Sequence, residues 1–200
     1  LSERKPDIGD WFYIPSWKRS RPPASKKREI PANSTWLVFI NENKLGSTIV
    51  KKLEKEAQHV IVVKAAAGFQ KINNYLYTVN PSQSDHYGLL FGTLKEEANI
   101  PDKIVHLWGI TGKETGDLSV ETVEQAQNLG FYSLFYIARI VGEQGITGEI
   151  RLTAVTDNMQ DVCWENYLCP EKSTVLGAIK VIPKEYPNIK CGSQYWHIPG

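Results

Sequence analysis

The chain has 200 residues, of which 42% are hydrophobic and 22% are charged, values typical of one ordinary globular domain. Its formal net charge of +1 argues against a nucleic-acid-binding protein or a disordered tail. No apolar run approaches the roughly 20 residues that a membrane-spanning helix needs, and the charged first residues do not resemble a signal peptide. Three cysteines (Cys163, Cys169 and Cys191) fit a reducing compartment, so we expect a cytoplasmic protein. Because the chain opens on Leu1 rather than Met, we expect it to be a segment of a longer polypeptide.

The N-terminal part of the chain predicts a strand followed by a linker. Residues 11–17 read WFYIPSW, a β-prone aromatic cluster whose Pro15 cannot donate to a ladder and so confines the strand to a sheet edge or bulge. Residues 18–34 are basic, carry three prolines and lack apolar periodicity, which indicates a solvated connector. We therefore divide the chain into residues 1–33, an aromatic strand with its basic linker, and residues 34–200, one folded unit.

From residue 35 onward, apolar runs alternate with amphipathic stretches, which is typical of βαβ units that feed a parallel sheet. The predicted strands cover residues 35–40, 59–63, 103–110, 149–155 and 189–196, with a short extra strand at 75–79. The predicted helices cover residues 46–57, 82–98, 122–141 and 173–182. Asn80 to Ser82 should provide a turn and a cap for the second helix, and Pro183 should end the last one. The long third helix has one face that should pack on the sheet, formed by Val123, Ala126, Gly130, Leu134, Ala138 and Val141.

The turn after the first buried strand is where a doubly wound sheet binds a dinucleotide. Glycines at this turn let the backbone approach the pyrophosphate at a helix N-terminus. Here the turn reads NENKLG, so that Asn41, Glu42 and Asn43 replace the first glycines and only Gly46 remains. Side-chain bulk and the Glu42 carboxylate both oppose a pyrophosphate, and we expect no cofactor at this turn.

A reductase of this fold class needs a Tyr as general acid and a Lys one helical turn later that lowers the pKa of that Tyr. Tyr186 and Lys190 have the required spacing of four residues, but prolines at 183 and 187 prevent a shared helix face. We therefore interpret this pair as accidental.

A second pair, Tyr167 and Lys172, follows Thr156, where an orienting hydroxyl could lie at the end of a strand. The two residues are five apart and Pro170 lies between them, so they would diverge on a helix. We expect a surface tyrosine and an incidental lysine, and we predict no catalytic residue in this chain.

The cysteines and histidines do not form a metal or nucleophile pattern. Cys163 and Cys169 are six apart, without a second pair or a histidine at ligand spacing, so we predict no metal site and a small buried thiol. His106 lies inside a predicted strand and should be a hydrogen-bonded residue of the core or a sheet face. His59, at the start of a strand, and His86 and His197, near turns or ends, have no catalytic companion.

Six segments together resemble a known family. They are DWFYIPSWKRS (10–20), STWLVFINENKLGSTIVKKLE (34–54), HYGLLFGTLKEEANIPDKIVHLWGIT (86–111), LGFYSLFYIARIVGEQGI (129–146), RLTAVTDNMQDV (151–162) and LCPEKSTVLGAIKVIPKEYPNIKC (168–191). The chain resembles the N-terminal structural subdomain of ketoreductases in modular type I polyketide synthases, or of a pseudo-ketoreductase. None of the segments is a catalytic signature.

The resemblance implies a truncated, Rossmann-like three-layer α/β fold with a mostly parallel sheet, similar to short-chain dehydrogenases and with a degenerate cofactor site. It implies that this half is not catalytic by itself, and that a second half holds NADPH and reduces the β-keto group of an intermediate carried on an acyl carrier protein. The strand from Trp11 to Trp17 would add to that catalytic half. Other expected partners are neighbouring synthase domains and the carrier protein; neither nucleic acid nor a membrane is expected.

Two other classes of function stay open on the residues alone. An autonomous NADPH-dependent short-chain reductase would need a glycine-rich turn and a Tyr/Lys pair that the sequence does not offer. A flavodoxin-like protein that binds a small molecule at the C-terminal ends of its strands is supported by fold analogy only.

Overall fold

The computed structural model describes residues 34–56, 58–112, 118–162 and 167–196, together with Asp7 and Gly9. The aromatic strand predicted at 11–17 and the linker after it therefore lie outside the described residues, as do Cys163 and His197. The division of the chain at residue 33 stays a prediction.

A seven-stranded sheet in the order β3-β4-β2-β1-β5-β6-β7 forms the centre of the fold. Its strands are β1 (Thr35–Ile40), β2 (His59–Ala65), β3 (Gln70–Asn73), β4 (Leu76–Val79), β5 (Lys103–Gly109), β6 (Ile150–Thr156) and β7 (Ile189–Tyr195). All neighbouring pairs are parallel except β3 with β4, which form an antiparallel hairpin. The strand order reverses at β1, which lies between β2 and β5, so the predicted doubly wound, mostly parallel sheet is confirmed.

Helices cover the two faces of the sheet unequally. They are α1 (Lys44–Lys55), α2 (Ser84–Glu96), α3 (Val120–Gln127), a π-helical turn (Asn128–Tyr132), α4 (Ser133–Glu143), a 3-10 turn (Pro170–Thr174) and α5 (Val175–Glu185). Helices α2, α4 and α5 share one core with the face of β1 that carries Leu37 and Phe39. On the opposite face, which carries Val38 and Ile40, α1 contributes Leu53. These layers make a three-layer Rossmann-like fold, as predicted.

The buried strands have the composition expected of a parallel sheet that is covered on both faces. Leu37, Val38 and Phe39 are consecutive and fully buried, so β1 is a continuous apolar run rather than an alternating one. The predicted short strand at 75–79 is confirmed as β4. Its partner β3 was not predicted, because all four of its residues are exposed and carry no apolar alternation.

Two predicted helix ends were wrong. Helix α2 begins at Ser84 after Gln83, which makes no side-chain cap bond, because the Asn80 carboxamide accepts from the Ser82 N–H and closes a separate turn. Helix α5 continues past Pro183 to Glu185. Pro183 lies in the last turn, so the helix loses only one backbone hydrogen bond there before it ends.

The predicted long helix is confirmed, but a π-helical turn interrupts it. Leu134, Ala138 and Val141 of the predicted face are buried, whereas α3 contains no buried residue, so Val123 and Ala126 are only partly covered. The π turn holds more residues than an α turn and shifts the register between the two halves. No helix within the described ranges is long and apolar enough to cross a bilayer.

Candidate functional site

The turn after β1 is closed by its own side chains. The Asn41 amide nitrogen donates to the carbonyl oxygens of Trp108 at 3.3 Å and Ile110 at 2.9 Å, and thereby ties the end of β1 to the end of β5. The Trp108 indole N–H donates to the Ile40 carbonyl at 3.1 Å within the core. These bonds bridge the place where the strand order reverses, which is where open α/β sheets bind ligands.

The N-terminus of α1 is capped from within the same turn. Asn43 accepts a hydrogen bond from the Gly46 N–H at 3.0 Å, which explains why α1 begins at Lys44, two residues before the predicted start. A Cβ on Gly46 would lie 2.9 Å from Ile40 Cβ, so this glycine serves close packing of helix on strand. Glu42 is exposed beside this turn.

Lys172, interpreted from the sequence as incidental to Tyr167, is a buried residue with an ion-pair partner of its own. Lys172 is 5% exposed and forms an ion pair with Asp157, which is fully buried at the end of β6. Its ammonium group also donates to Thr111 Oγ1 at 2.8 Å. The Asp157 carboxylate in turn accepts from the backbone N–H of Gly112 at 2.9 Å. The ion pair thus joins the ends of β5 and β6 to the 3-10 turn.

The two Tyr/Lys pairs considered from the sequence lie on separate elements. Tyr167 is 54% exposed, as predicted, while Lys172 is buried five residues later. Tyr186 follows the end of α5 and Lys190 lies on β7, so these two share no helix face, as predicted. The Tyr186 ring packs against Gly142 of α4, where a Cβ would lie 2.5 Å from the ring.

His106 is a core residue of β5, as predicted. Its Nε2 lies 2.8 Å from the Ser133 hydroxyl, which also reaches the Leu129 carbonyl at 2.8 Å in the π turn. Since a hydroxyl has one proton, donation to the carbonyl leaves the Ser133 oxygen to accept from Nε2–H of a neutral imidazole. Burial lowers the pKa of His106 to about 3, in keeping with this neutral form.

Burial disfavours the thiolate form of the two cysteines within the described ranges. Cys169 is buried, as predicted, and burial raises its pKa. Burial also raises the pKa of Cys191 to about 11. In the part of the chain that the structure describes, no group of three or more His, Cys, Asp or Glu residues could hold a metal ion.

A pocket of about 500 Å³ opens beside the Lys172–Asp157 ion pair. It lies between the end of β5, the α3 helix with its π turn, and the 3-10 turn that precedes α5. Sequence reasoning missed both the pocket and Asp157. The only signal was the position of Asp157 directly after β6, since polar residues at the carboxyl ends of parallel strands often line sites.

The fold is that of short-chain dehydrogenases and of ketoreductases. A multidomain structure with adenylation, ketoreductase and pseudo Asub domains, from a keto acid-selecting NRPS module, superposes with a TM-score of 0.80 at 21% identity, covering 90% of this chain and 14% of that one. An N-terminal ketoreductase from the macrolactin assembly line superposes with a TM-score of 0.71 at 19% identity. The match covers 82% of this chain and 32% of that chain. A short chain dehydrogenase from Leptospira borgpetersenii serovar Hardjo-bovis, with bound NAD+, superposes with a TM-score of 0.60 at 14% identity. The match covers 84% of this chain and 73% of that chain. This chain therefore spans about a third or less of the two ketoreductase-containing chains.

The family model described as "Beta-ketoacyl synthase-like, N-terminal" matches residues 34–193. The chain belongs to this family. Together with the fold shared with ketoreductase modules, this membership confirms the resemblance to the N-terminal structural subdomain of modular ketoreductases. No curated protein sequence matches the chain.

Proposed function

We propose that this chain is a non-catalytic structural subdomain of a polyketide synthase ketoreductase. The observation that carries the proposal is the Asn41 amide, which bridges the carbonyl oxygens of Trp108 and Ile110 across the crevice where a dinucleotide would bind.

The residues of this turn do not fit a dinucleotide pyrophosphate. A pyrophosphate is held by free backbone N–H groups at a helix N-terminus, but the Gly46 N–H already donates to Asn43. The exposed Glu42 carboxylate adds electrostatic repulsion. The backbone at Gly46 cannot rearrange around a phosphate group, because Gly46 packs closely against Ile40. These features support a subdomain that leaves NADPH to another part of the enzyme.

The candidate catalytic pairs also favour a structural role. A catalytic lysine must hold the cofactor and lower the pKa of a neighbouring tyrosine, whereas Lys172 is engaged by Asp157 and Thr111. Tyr186 packs against Gly142 rather than facing the carboxyl ends of the strands. An autonomous reductase would need a tyrosine and a lysine that are both free to contact substrate and cofactor, and one member of each pair, Lys172 or Tyr186, is engaged within the protein.

In this proposal the chain acts by contacting other domains of the synthase through its surface. It stabilises a catalytic half that binds NADPH and reduces the β-keto group of an intermediate on an acyl carrier protein, in the cytoplasm. The strand from Trp11 to Trp17 docks on that half, and neighbouring synthase domains are further partners. A division of the enzyme into a structural half and a catalytic half explains why this reductase-like fold lacks the glycine-rich turn that binds a dinucleotide.

The first experiment measures NADPH binding by this chain alone, by calorimetry. We expect no binding at concentrations that saturate an active ketoreductase, and saturable binding would overturn the proposal in favour of an autonomous reductase.

The second experiment adds this chain in trans to the separately expressed catalytic half of its synthase. We expect increased thermal stability and activity of that half. Replacing Trp11 and Trp17 with Ser should weaken the association while the thermal unfolding of this chain changes little. Tyr75→Ser, at a 56% exposed position in the β3–β4 hairpin, is the control and should retain association. Equal loss of fold and association in the tryptophan variant would contradict the docking role.

A further inference from the structure

The face of the sheet opposite to α2, α4 and α5 is only partly covered. Helix α1 packs there on β1 and β2, with Leu53 among its buried residues. The described helix that packs on β7 is α5, whose Ile182 joins Ile189 in the core of the other face. A Cβ on Gly192 of β7 would meet nothing within 4 Å, and Val155 of β6 is only partly buried. Within the described ranges, β6 and β7 therefore have little cover on this side, although parallel strands are normally covered on both faces.

Three cations, which we call the basic row, lie side by side across β5, β6 and β7. Parallel pairing places Lys103 of β5 beside Arg151 of β6, and Arg151 beside Lys190 of β7. Each of them adjoins a residue of the opposite core along its strand, so all three side chains lie on the partly covered face. Glu149 forms an exposed ion pair with Arg151 at 3.7 Å, and the Asp102 carboxylate accepts from a backbone N–H of β1. Like charges at paired positions repel one another, and carboxylates from a partner would relieve this repulsion.

Helix α3 has the opposite character. It contains Glu121 and Glu124 but no Lys or Arg, whereas α1, α2, α4 and α5 each carry at least one basic residue. It also contains no buried residue. Leu118 and Val120 at its N-terminal end are each 69% exposed, more than any other large hydrophobic residue described. Acidic groups and exposed apolar groups are therefore combined on one helix.

The spacing of these groups on α3 matches the spacing of their counterparts on the sheet. Val120 and Glu124 are one helical turn apart, about 6 Å along the same side of the helix. Gly192 and Lys190 are two residues apart on the same face of β7, which corresponds to about 6.6 Å. With Val120 placed over the open site on β7, the Glu124 carboxylate therefore reaches the basic row.

Other occupants fit this face less well. Residues 1–33 carry eight lysines and arginines against four aspartates and glutamates, so the basic row would repel them. A symmetric contact between two sheet faces would bring two basic rows into one interface. A nucleic acid would pair its phosphates with the cations but would leave the apolar surface at Val155 uncovered. An acidic helix with exposed apolar residues matches both the charges and the apolar surface.

We propose that copies of this chain associate head to tail, with α3 of one copy packed on the β5–β7 face of the next. Glu121 and Glu124 then pair with the basic row, and Val120 covers Gly192. Because the two surfaces differ, each copy of a pair keeps one of them free, and association continues beyond the pair. One short helix on part of a sheet face makes a small interface, so we expect weak association. The proposal does not depend on the structural role proposed above, since it involves neither NADPH nor residues 11–17.

The test is sedimentation equilibrium of this chain at concentrations up to about 1 mM. We expect concentration-dependent association that weakens as the salt concentration is raised from about 50 mM to about 500 mM. Arg151→Glu should lower the association constant at least about tenfold. Lys180→Glu, the same charge change at an exposed position of α5, is its control and should leave the constant unchanged. Glu124→Arg should also lower the constant at least about tenfold, with Glu96→Arg at an exposed position of α2 as its control.

Mixing the two weakened variants tests whether the contact joins two different surfaces. The unaltered α3 of Arg151→Glu meets the unaltered sheet face of Glu124→Arg, so an equimolar mixture should regain association that neither variant shows alone. Lys190→Glu and Glu121→Arg, also at exposed positions, replace a variant that does not fold. The proposal is overturned if the chain stays monomeric at all concentrations, if either variant associates like the wild type, or if the mixture does not regain association. Tighter binding of a single-stranded DNA oligomer than of a second copy would also overturn it, because that result would assign the basic row to nucleic acid.

Discussion

Lys172 and Asp157 form an ion pair with almost no solvent exposure, Lys172 at 5% and Asp157 at 0%. The pair connects a 3-10 turn to the end of β6, and the same carboxylate accepts from the N–H of Gly112 beyond β5. A single carboxylate therefore joins three segments at the carboxyl edge of the sheet: the 3-10 turn, the end of β6 and the residues after β5. Because both charges have left water, each depends on the other.

Removal of the cation should destabilise the protein strongly. Lys172→Met leaves the Asp157 carboxylate buried without a counter-charge, and we expect a loss of about 3–5 kcal/mol in the free energy of unfolding. Urea unfolding followed by circular dichroism measures this loss.

A double variant and a surface variant are the controls for that experiment. Lys172→Met with Asp157→Asn removes both charges but keeps an oxygen that accepts from Gly112, so it should recover most of the lost stability. Lys180→Met, at an exposed position of α5, should change stability by less than about 0.5 kcal/mol. If Lys172→Met is as stable as the wild type, the two charges are solvated rather than buried.

His106 should make the stability of the protein dependent on pH. Its pKa is lowered to about 3 in the folded state by burial, against about 6.5 in an unfolded chain. Between these values the unfolded chain binds a proton that the folded chain does not, so stability is full above pH about 6.5 and is lost as the pH falls toward about 3. The slope contributed by this one group approaches about 1.4 kcal/mol per pH unit.

His106→Gln removes this titration while it keeps a donor for Ser133. We expect the difference in unfolding free energy between about pH 7.5 and about pH 4.5 to be smaller in the variant by about 3 kcal/mol. Urea unfolding at the two pH values measures it. An identical pH dependence in the variant and the wild type would mean that other groups control acid unfolding.

The predictable parts of the fold are the elements whose buried residues form a continuous apolar run or recur at regular spacing along the sequence. The apolar run of β1 and the helical spacing of Leu134 and Ala138 both report a continuous buried surface, so the elements and their class follow directly. Strand β3 is exposed on all four residues and carries no such pattern.

The site was less predictable because its partners are distant along the chain. Asp157 and Lys172 are separated by 15 residues and lie on different elements, so their pairing depends on how β6 and the 3-10 turn pack. The asparagines of the turn after β1 were predicted to oppose a pyrophosphate. That Asn41 also bridges to β5 could not be deduced, since the bond spans 67 residues.

Gly46 should be indispensable for the packing of α1 on β1. Gly46→Ala places a Cβ at 2.9 Å from Ile40 Cβ, and because both atoms belong to packed elements we expect a loss of about 1–3 kcal/mol in unfolding free energy. Gly177→Ala is the matched control, since a Cβ there meets nothing within 4 Å on α5. That control should stabilise the protein by about 0.5–1 kcal/mol through helix propensity, and a stabilising Gly46→Ala would refute the close approach.

Tyr186 and Gly142 provide a test of whether this tyrosine has a structural role. A Cβ at position 142 would lie 2.5 Å from the Tyr186 ring, so Gly142→Ala should cost about 1–3 kcal/mol in unfolding free energy. Tyr186→Leu should reduce that cost, giving a coupling of about 1 kcal/mol in a double-mutant cycle measured by urea unfolding. Tyr186→Phe keeps the ring and should change stability by less than about 0.5 kcal/mol. Additive effects of Gly142→Ala and Tyr186→Leu would mean that the two residues do not contact each other. A large loss of stability in Tyr186→Phe would show that the hydroxyl, rather than the ring, stabilises the packing of α4 and α5.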